Sequence, residues 1–131
     1  MRITLLSIIV QDQVHALAFY RDKLGFVLKD DVPAGEYRWI TLASPQVPDG
    51  TRISLEPVGY PWAQDYQKAL KENGVPLTAF AVDDLEAEYK RLTAAGINFK
   101  GPPSPGDLAM PSMATFDDTC GNWIMLYEQK A

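Results

Sequence analysis

The chain has 131 residues and a formal net charge of −5, with 47% hydrophobic and 22% charged residues, which predicts one soluble globular domain able to bury a core. This acidic balance argues against a nucleic-acid groove, and the longest apolar run, Leu5 to Val10, is far too short to cross a bilayer. Because the beginning of the chain shows no export signal and the single cysteine, Cys120, cannot form an internal disulfide, we expect a cytoplasmic protein.

The first half of the sequence predicts a β-α-β-β-β unit. Residues 3–10 are apolar and β-branched, which favours a strand with both faces covered. Asp12 is a favoured helix N-cap and Gly25 suits the left-handed position after a last turn, so a helix is expected between them. Turn-forming residues separate three further strands, which are expected at 26–29, 37–43 and 52–57.

The second half repeats this order of elements. A helix is expected from Trp62 to Asn73, followed by a strand at 77–82. Residues 83–86 offer an N-cap with a carboxylate three residues on, and the helix that follows ends at Gly96. The remaining strand candidates are 98–100, 113–116 and 123–127. The order indicates an internal repeat of two modules, at about 1–60 and about 75–131, joined by a linker helix at about 61–74.

Two stretches, VQDQVHALAFYRDKLGF near the start and FDDTCGNWIMLYE near the end, accompany this repeat. Together they resemble the vicinal oxygen chelate superfamily, which includes glyoxalase I, bleomycin-resistance proteins and extradiol dioxygenases. The resemblance implies an α+β fold of two tandem βαβββ modules whose curved mixed sheets enclose a cleft. Since this fold hosts several unrelated activities, it does not by itself define a function.

The resemblance also implies where a metal would be held. In metal-dependent members, four side chains on the first and last strands of the modules bind one divalent cation, and these positions fall here on Leu5, Glu56, Leu77 and Met125. Leucine cannot coordinate a metal, a thioether is a soft ligand, and a single carboxylate does not hold a hard cation. We therefore expect no metal and no other cofactor.

Strand alternation extends this set to the expected lining of the cleft. The predicted ligand-binding residues are Leu5, Ser7, Tyr37, Trp39, Arg52, Ser54, Glu56, Leu77, Ala79, Trp123, Met125 and Tyr127, with the register of Tyr37 and Trp39 left open by the hairpin loops. The alternate positions are apolar and suited to receive helices: Leu6, Ile8, Val10, Phe80, Val82, Ile124 and Leu126. Aromatic walls with few polar groups predict a site for a small aromatic or amphipathic molecule.

Glu56 is the candidate catalytic residue. It could orient a cationic or hydroxyl-bearing ligand, or act as a general base if it is desolvated. Arg52 on the same strand could instead neutralise it, and in the simplest alternative the cleft is filled by its own side chains with Glu56 at a wet rim.

The leading hypothesis is a metal-free binding protein that sequesters a small molecule as bleomycin-resistance proteins do. The alternatives are a lyase, isomerase or dioxygenase that uses a noncanonical metal site or Glu56 as a base, and an interaction module with a vestigial cleft. The resemblance also implies a homodimer whose clefts are built by both chains, with Leu5 and Glu56 of one chain facing Leu77 and Met125 of the other. Neither nucleic acid nor a membrane is an expected partner.

Overall fold

A computed structural model describes residues 1–130 of the chain. Its strands form two mixed sheets, one of four strands in the order β1-β4-β3-β2 and one of three strands in the order β5-β7-β6. The elements are β1 (Leu5–Val10), α1 (Gln13–Ala18), a π-helical extension of α1 (Phe19–Lys23), β2 (Val27–Ala34), β3 (Tyr37–Ala43), β4 (Arg52–Pro57), α2 (Pro61–Glu72), β5 (Thr78–Val82), α3 (Leu85–Ala94), β6 (Met113–Asp117) and β7 (Trp123–Glu128). The α+β class is therefore confirmed.

The chain divides into two compact units, and the boundary lies within α2, between Asp65 and Tyr66. In the first unit β1 runs parallel to β4, whereas β3 runs antiparallel to both β4 and β2. One side of this sheet is packed with helix side chains. The buried apolar residues there are Ile8, Val10, Ile40, Leu42 and Leu55 of the strands and Ala16, Phe19 and Tyr20 of the helix. Each large apolar side chain removed from water in this way contributes about 1.5–3 kcal/mol.

The first helix begins as the sequence predicts and then departs from α-helical geometry. The side chain of Asp12 accepts a hydrogen bond from the backbone N–H of His15, which satisfies one of the free donors of the first turn. From Phe19 the helix continues as a π-helix and ends before Gly25, which has a φ of +88°. This wider turn was not predicted, because π-helical segments are rare and have no simple sequence signal.

The second strand is longer than the four residues predicted at 26–29. It extends to Ala34, where it pairs with Tyr37 across a turn at Gly35. Pro33 lies within β2, which is tolerated because β2 is an edge strand and a proline there need not donate to a neighbour. The strands at 37–43 and 52–57 have the predicted bounds.

In the second unit β7 lies at the centre, parallel to β5 and antiparallel to β6. Asp84 caps α3 by accepting a hydrogen bond from the backbone N–H of Ala87. The buried side chains on the helix side of this sheet include Leu85, Leu92, Ala114, Phe116, Ile124 and Leu126. In residues 1–130, no helix is both long and apolar enough to span a membrane.

The strand predicted at 98–100 was wrong, since the structure has only a single bridge there, between Phe99 and Phe116. The backbone N–H of Lys100 donates to Thr115, so the pairing begins but does not continue. Gly101, Pro102 and Pro103 follow directly, and a proline lacks the N–H that a further ladder hydrogen bond requires.

Candidate functional site

We call the side of the first sheet that carries Ser54 the open face: Thr41 and Ser54 at its centre are buried, whereas Ser7, Tyr37 and Trp39 nearer its margins are exposed. The strand registers place Ser7 beside Ser54, Ser54 beside Thr41, and Thr41 beside Asp30, so a polar row crosses all four strands. The predicted ligand-binding residues of the first unit share this side: Leu5, Ser7, Tyr37, Trp39, Arg52, Ser54 and Glu56. The regular pairing of β3 thus resolves the register that the sequence leaves open for its two aromatic residues.

Hydrogen bonds divide the polar row into two clusters. In the first, the hydroxyl of Ser54 donates to Glu56 Oε1 at 2.9 Å and lies 3.2 Å from the hydroxyl oxygen of Ser7. In the second, Asp30 Oδ2 accepts from Thr41 Oγ1 at 2.6 Å and from Arg52 Nη1 at 3.1 Å. The Arg52 charge is therefore paired with Asp30 rather than with Glu56.

Glu56 is half-buried on β4, and within residues 1–130 its carboxylate forms no ion pair. Its position next to Ser54 follows from strand alternation, because residues two apart along a strand lie on the same side. A carboxylate that is partly removed from water without a cationic partner retains a strong attraction for a cation or a hydrogen-bond donor.

Two aromatic side chains stand exposed on the same face. Trp39 is 37% exposed and Tyr37 is 46% exposed, and the cross-strand neighbour of Trp39, Val32, is 50% exposed. Gly59 leaves room for the tyrosine, because a Cβ at that position would lie 3.3 Å from the Tyr37 hydroxyl oxygen. These rings provide apolar area that a ligand could cover.

Gln13, which sequence reasoning missed, holds the two strands that carry Trp39 and Glu56. Its side-chain nitrogen donates to the backbone carbonyls of Arg38 at 2.7 Å and Leu55 at 2.8 Å, and its oxygen accepts from the Arg38 N–H at 3.0 Å. The ladder between β3 and β4 covers only residues 41–43 and 52–54, so this amide bridges the strands beyond its end. It fixes the backbone beside both Trp39 and Glu56.

A signal for Gln13 was present in the sequence. Gln13, Ala16 and Tyr20 recur at helical spacing, and all three are buried in the structure. A glutamine on the buried side of a helix must have its amide satisfied, which indicates a contact with the backbone of a neighbouring element.

In the second unit, strand pairing brings together the predicted residues Ala79, Trp123, Met125 and Tyr127 on one side of the sheet, while Leu77 immediately precedes β5. The Trp123 side chain is hydrogen-bonded and packed by residues of the second unit itself. Its indole N–H donates to the backbone carbonyl of Lys71 at 3.1 Å, and the Lys71 and Lys100 ammonium groups lie 4.0 and 5.3 Å from the ring centroid. The Lys71 ammonium also pairs with Asp117 at 2.8 Å, so these groups form a closed cluster.

The turn before β7 has a structural role. Asp118 is buried, and its carboxylate accepts hydrogen bonds from the backbone N–H groups of Cys120 and Asn122 and from the Asn122 side chain. Gln67 packs so closely on this turn that a Cβ at Gly121 would lie 2.7 Å from the glutamine Cδ. Asp117 also shapes this turn, since its Oδ1 accepts a hydrogen bond from the Thr119 N–H at 2.8 Å.

The four positions at which the resemblance implies a metal do not fit one. Leu5, Leu77 and Met125 offer no oxygen or nitrogen donor in their side chains, and Glu56 already accepts a hydrogen bond from Ser54. In the part of the chain that the structure describes, no group of three or more His, Cys, Asp or Glu side chains could hold a metal ion. A hard divalent cation needs more such donors than this set supplies.

Comparisons with known proteins agree with the fold. The YurT protein of Bacillus subtilis (strain 168) is 47% identical over 129 residues, a match that covers 98% of this chain and 100% of YurT. The crystal structure of UcmS2 matches with a TM-score of 0.82 at 30% identity over 97% of each chain. TnmS3, described as an antibiotic binding protein from Streptomyces sp. CB03234, matches with a TM-score of 0.74 at 27% identity over 99% of this chain and 97% of its own.

A family model matches residues 2–126, which is nearly the whole chain. Its description agrees with the repeated units, the two mixed sheets and the resemblance that the sequence motifs carry. The chain therefore belongs to the Glyoxalase/Bleomycin resistance protein/Dioxygenase superfamily.

Proposed function

We propose that this protein binds a small aromatic or amphipathic molecule on the open face of its first sheet and acts by sequestration, without a metal. The observation that carries the proposal is the polar row from Ser7 to Asp30, which lies on the same side as the exposed rings of Tyr37 and Trp39. Ligand sites commonly combine apolar and aromatic walls with a few oriented polar groups. The similarity to TnmS3, an antibiotic binding protein, supports binding as the activity.

The aromatic rings explain why a flat apolar molecule is favoured. In residues 1–130, neither Tyr37 nor Trp39 stacks on another aromatic ring or lies beneath a cationic side chain. A ring that covers them removes apolar area from water on both partners, at roughly 25 cal/mol per Å² before the cost of association. The Ser7 hydroxyl and the Glu56 and Asp30 carboxylates then orient the bound molecule, while the buried Ser54 and Thr41 hydroxyls hold these carboxylates in place.

The proposal includes a cytoplasmic homodimer in which both chains build the binding cleft. Leu5 and Glu56 of one chain would face Leu77 and Met125 of the other, with the two modules at about 1–60 and about 75–131 joined by the linker helix. Exposed apolar residues on the open face, among them Leu5 and Val32, support the presence of a covering surface. Sedimentation or native mass spectrometry tests this part directly.

A second candidate is an enzyme in which Glu56 acts as a general base. The observation in its favour is the carboxylate itself, which is oriented by Ser54 and paired with no cation in the described chain. A lyase or isomerase of this kind would convert its ligand, and Glu56→Gln would abolish conversion while leaving the fold intact. A sequestering protein releases its ligand unchanged.

The test uses three probes of the same ring size: 1-naphthylmethanol, which is neutral, 1-naphthylmethylamine, which is cationic near pH 7, and 1-naphthoate, which is anionic. At a ligand concentration of about 100 times Kd, binding should stabilise the native protein by about 2.7 kcal/mol and raise its Tm. Trp39→Ala should remove this rise. Trp62→Ala is the matched control, because Trp62 is exposed and stacks on Tyr60 rather than lying on the open face.

Binding of at least one probe that depends on Trp39 and not on Trp62 supports the proposal. If none of the three probes raises the Tm or gives a calorimetric signal at millimolar concentration, the open face is not a binding site for aromatic molecules and the proposal fails.

A further inference from the structure

We propose that the open face selects an aromatic molecule that carries a protonated amine, with Glu56 as its counter-ion and Trp39 as the ring over which the ammonium lies. This inference rests on the proposed function and narrows the ligand to one chemical class. It follows from the charge at Glu56, from the geometry of its neighbours, and from a complete cluster of the same composition elsewhere in the chain.

The charge at Glu56 lacks compensation within the described chain. The carboxylate is half-buried and accepts one side-chain hydrogen bond, from Ser54, while the nearest arginine along its strand, Arg52, is paired with Asp30. Charged groups taken out of water are ordinarily paired, because desolvation without a partner costs several kcal/mol. A cation on the ligand would supply the missing partner.

The strand register brings an aromatic face to the same place. Ser54 is the cross-strand partner of Thr41, so two residues further along each strand Glu56 and Trp39 lie on the same side of the sheet. Gln13 bridges the backbone at Arg38 and Leu55, directly beside these two residues, and keeps their strands at a fixed separation. An ammonium between a carboxylate and an indole ring gains both an ion pair and a cation–π interaction.

The second unit already contains this arrangement in completed form. There the Lys71 ammonium lies 4.0 Å from the Trp123 ring centroid and 2.8 Å from the Asp117 carboxylate, and these two residues are cross-strand partners. The open face has the tryptophan and the carboxylate on neighbouring strands, but in residues 1–130 no lysine or arginine lies over the Trp39 ring. A cationic ligand would therefore supply at Trp39 the positive charge that Lys71 supplies at Trp123.

An anionic ligand is disfavoured at the same site. Asp30 and Glu56 both lie on the open face, and its arginine is already engaged by Asp30. The chain as a whole carries a net charge of −5, which adds a repulsive field at low ionic strength. Among ring systems of equal size, the order of affinity should be cationic, then neutral, then anionic.

The experiment measures calorimetric Kd values for the three naphthalene probes at pH 7 and low salt. In the wild-type protein, 1-naphthylmethylamine should bind about tenfold or more tightly than 1-naphthylmethanol, which corresponds to one well-formed charge-assisted contact. Glu56→Gln keeps the shape and the Ser54 hydrogen bond but removes the charge, so most of the preference should be lost and only the smaller part due to the cation–π contact with Trp39 should remain. Glu86→Gln on α3 removes the same charge from an exposed site and should leave the preference intact.

A measurement on the wild-type protein alone gives an independent answer. Raising the salt from about 0.01 M to about 1 M shortens the Debye length from about 30 Å to about 3 Å, which should weaken binding of the amine but not of the alcohol. Equal wild-type affinities for the two probes, or a preference that is undiminished in Glu56→Gln, would overturn the inference while leaving the proposed function in place. Failure of all three probes to bind overturns both.

Discussion

Two tryptophans on strand faces of this protein differ in what surrounds them. Trp123 in the second unit is enclosed by groups of its own chain: its N–H is bonded to Lys71, its ring faces two ammonium groups, and Asp117 completes the cluster. Trp39 in the first unit is 37% exposed, and within residues 1–130 its ring has no aromatic or cationic partner. A tryptophan on a strand can thus serve stability in one unit and remain available in the other.

Trp123 and Trp39 differ in exposure because different residues contact them. α2 ends at Glu72, and the Lys71 carbonyl in its last turn accepts hydrogen bonds both from the Gly74 N–H and from the Trp123 indole. On the open face, Arg52 pairs with Asp30, and in residues 1–130 no lysine or arginine lies over the Trp39 ring. Both members of that pair are about 40% exposed, so the pair itself contributes little stability.

Loss of the Trp123 ring should produce the largest difference in stability between the two sites. Trp123→Ala removes a half-buried ring, a hydrogen bond to α2 and a partner for two cations, and should lower the free energy of unfolding by about 3 kcal/mol. Trp39→Ala removes a more exposed ring and should cost about 1 kcal/mol. Chemical denaturation of both variants measures the difference, and equal losses would contradict the distinction drawn between the two sites.

The next largest effect is expected from removing the Gln13 side-chain amide, which bridges β3 and β4. Gln13→Ala leaves the buried carbonyl of Leu55 and the partly buried backbone groups of Arg38 without their partner and should lower the free energy of unfolding by about 2 kcal/mol. It should also weaken binding of 1-naphthylmethylamine, because the strands that carry Trp39 and Glu56 lose their common anchor.

Gln64→Ala is the matched control for the anchor. Gln64 is exposed and its amide donates to a single carbonyl, that of Val58, at 3.2 Å. Its removal should change stability by less than about 0.5 kcal/mol and leave binding unaltered. A Gln13 variant that loses stability but retains full affinity would show that the amide does not determine the spacing of the site.

Local sequence patterns predicted much of this fold and of the open face. The bounds of β3 and β4 follow from alternating apolar residues between turn-forming segments, and the same alternation places Ser54 and Glu56 on one side of β4. Asp12 was recognised as a cap because its contact, with His15, lies three residues away. Such features depend only on neighbours along the chain.

Features that depend on distant residues could not be predicted. The partner of Trp123 lies in α2, and the carbonyls that Gln13 satisfies lie in β3 and β4, so neither contact has a local signal that specifies it. The strand expected at 98–100 failed for a reason that is visible nearby, since the prolines that follow remove the N–H groups needed to extend it. The ion pair between Arg52 and Asp30 likewise could not be predicted without knowing the register of β2.

A smaller effect is expected from removing the cation at Trp123. Lys71→Met keeps an unbranched side chain that is one atom shorter but loses the ion pair with Asp117 and the cation–π contact, and should lower stability by about 1 kcal/mol. Lys68→Met is the control on the same helix, because Lys68 is largely exposed and its Glu72 partner is 3.8 Å away. The Tm of Lys71→Met should be lower than that of Lys68→Met at low salt, and the two Tm values should converge as salt is raised. Equal Tm values at low salt would show that the Trp123 cluster contributes no more than an ordinary surface contact.

The smallest effect tests whether Tyr37 belongs to the binding surface. Gly59→Ala would place a Cβ 3.3 Å from the Tyr37 hydroxyl oxygen, so the ring must shift by a few tenths of an ångström. Stability should change little, because reduced freedom of the unfolded chain offsets the crowding, while the affinity for 1-naphthylmethylamine should fall on the order of twofold as ring contacts loosen. Gly101→Ala, where an added Cβ meets no atom within 4 Å, is the control. Equal calorimetric Kd values for the two variants and the wild type would remove Tyr37 from the site and leave Trp39 as its aromatic wall.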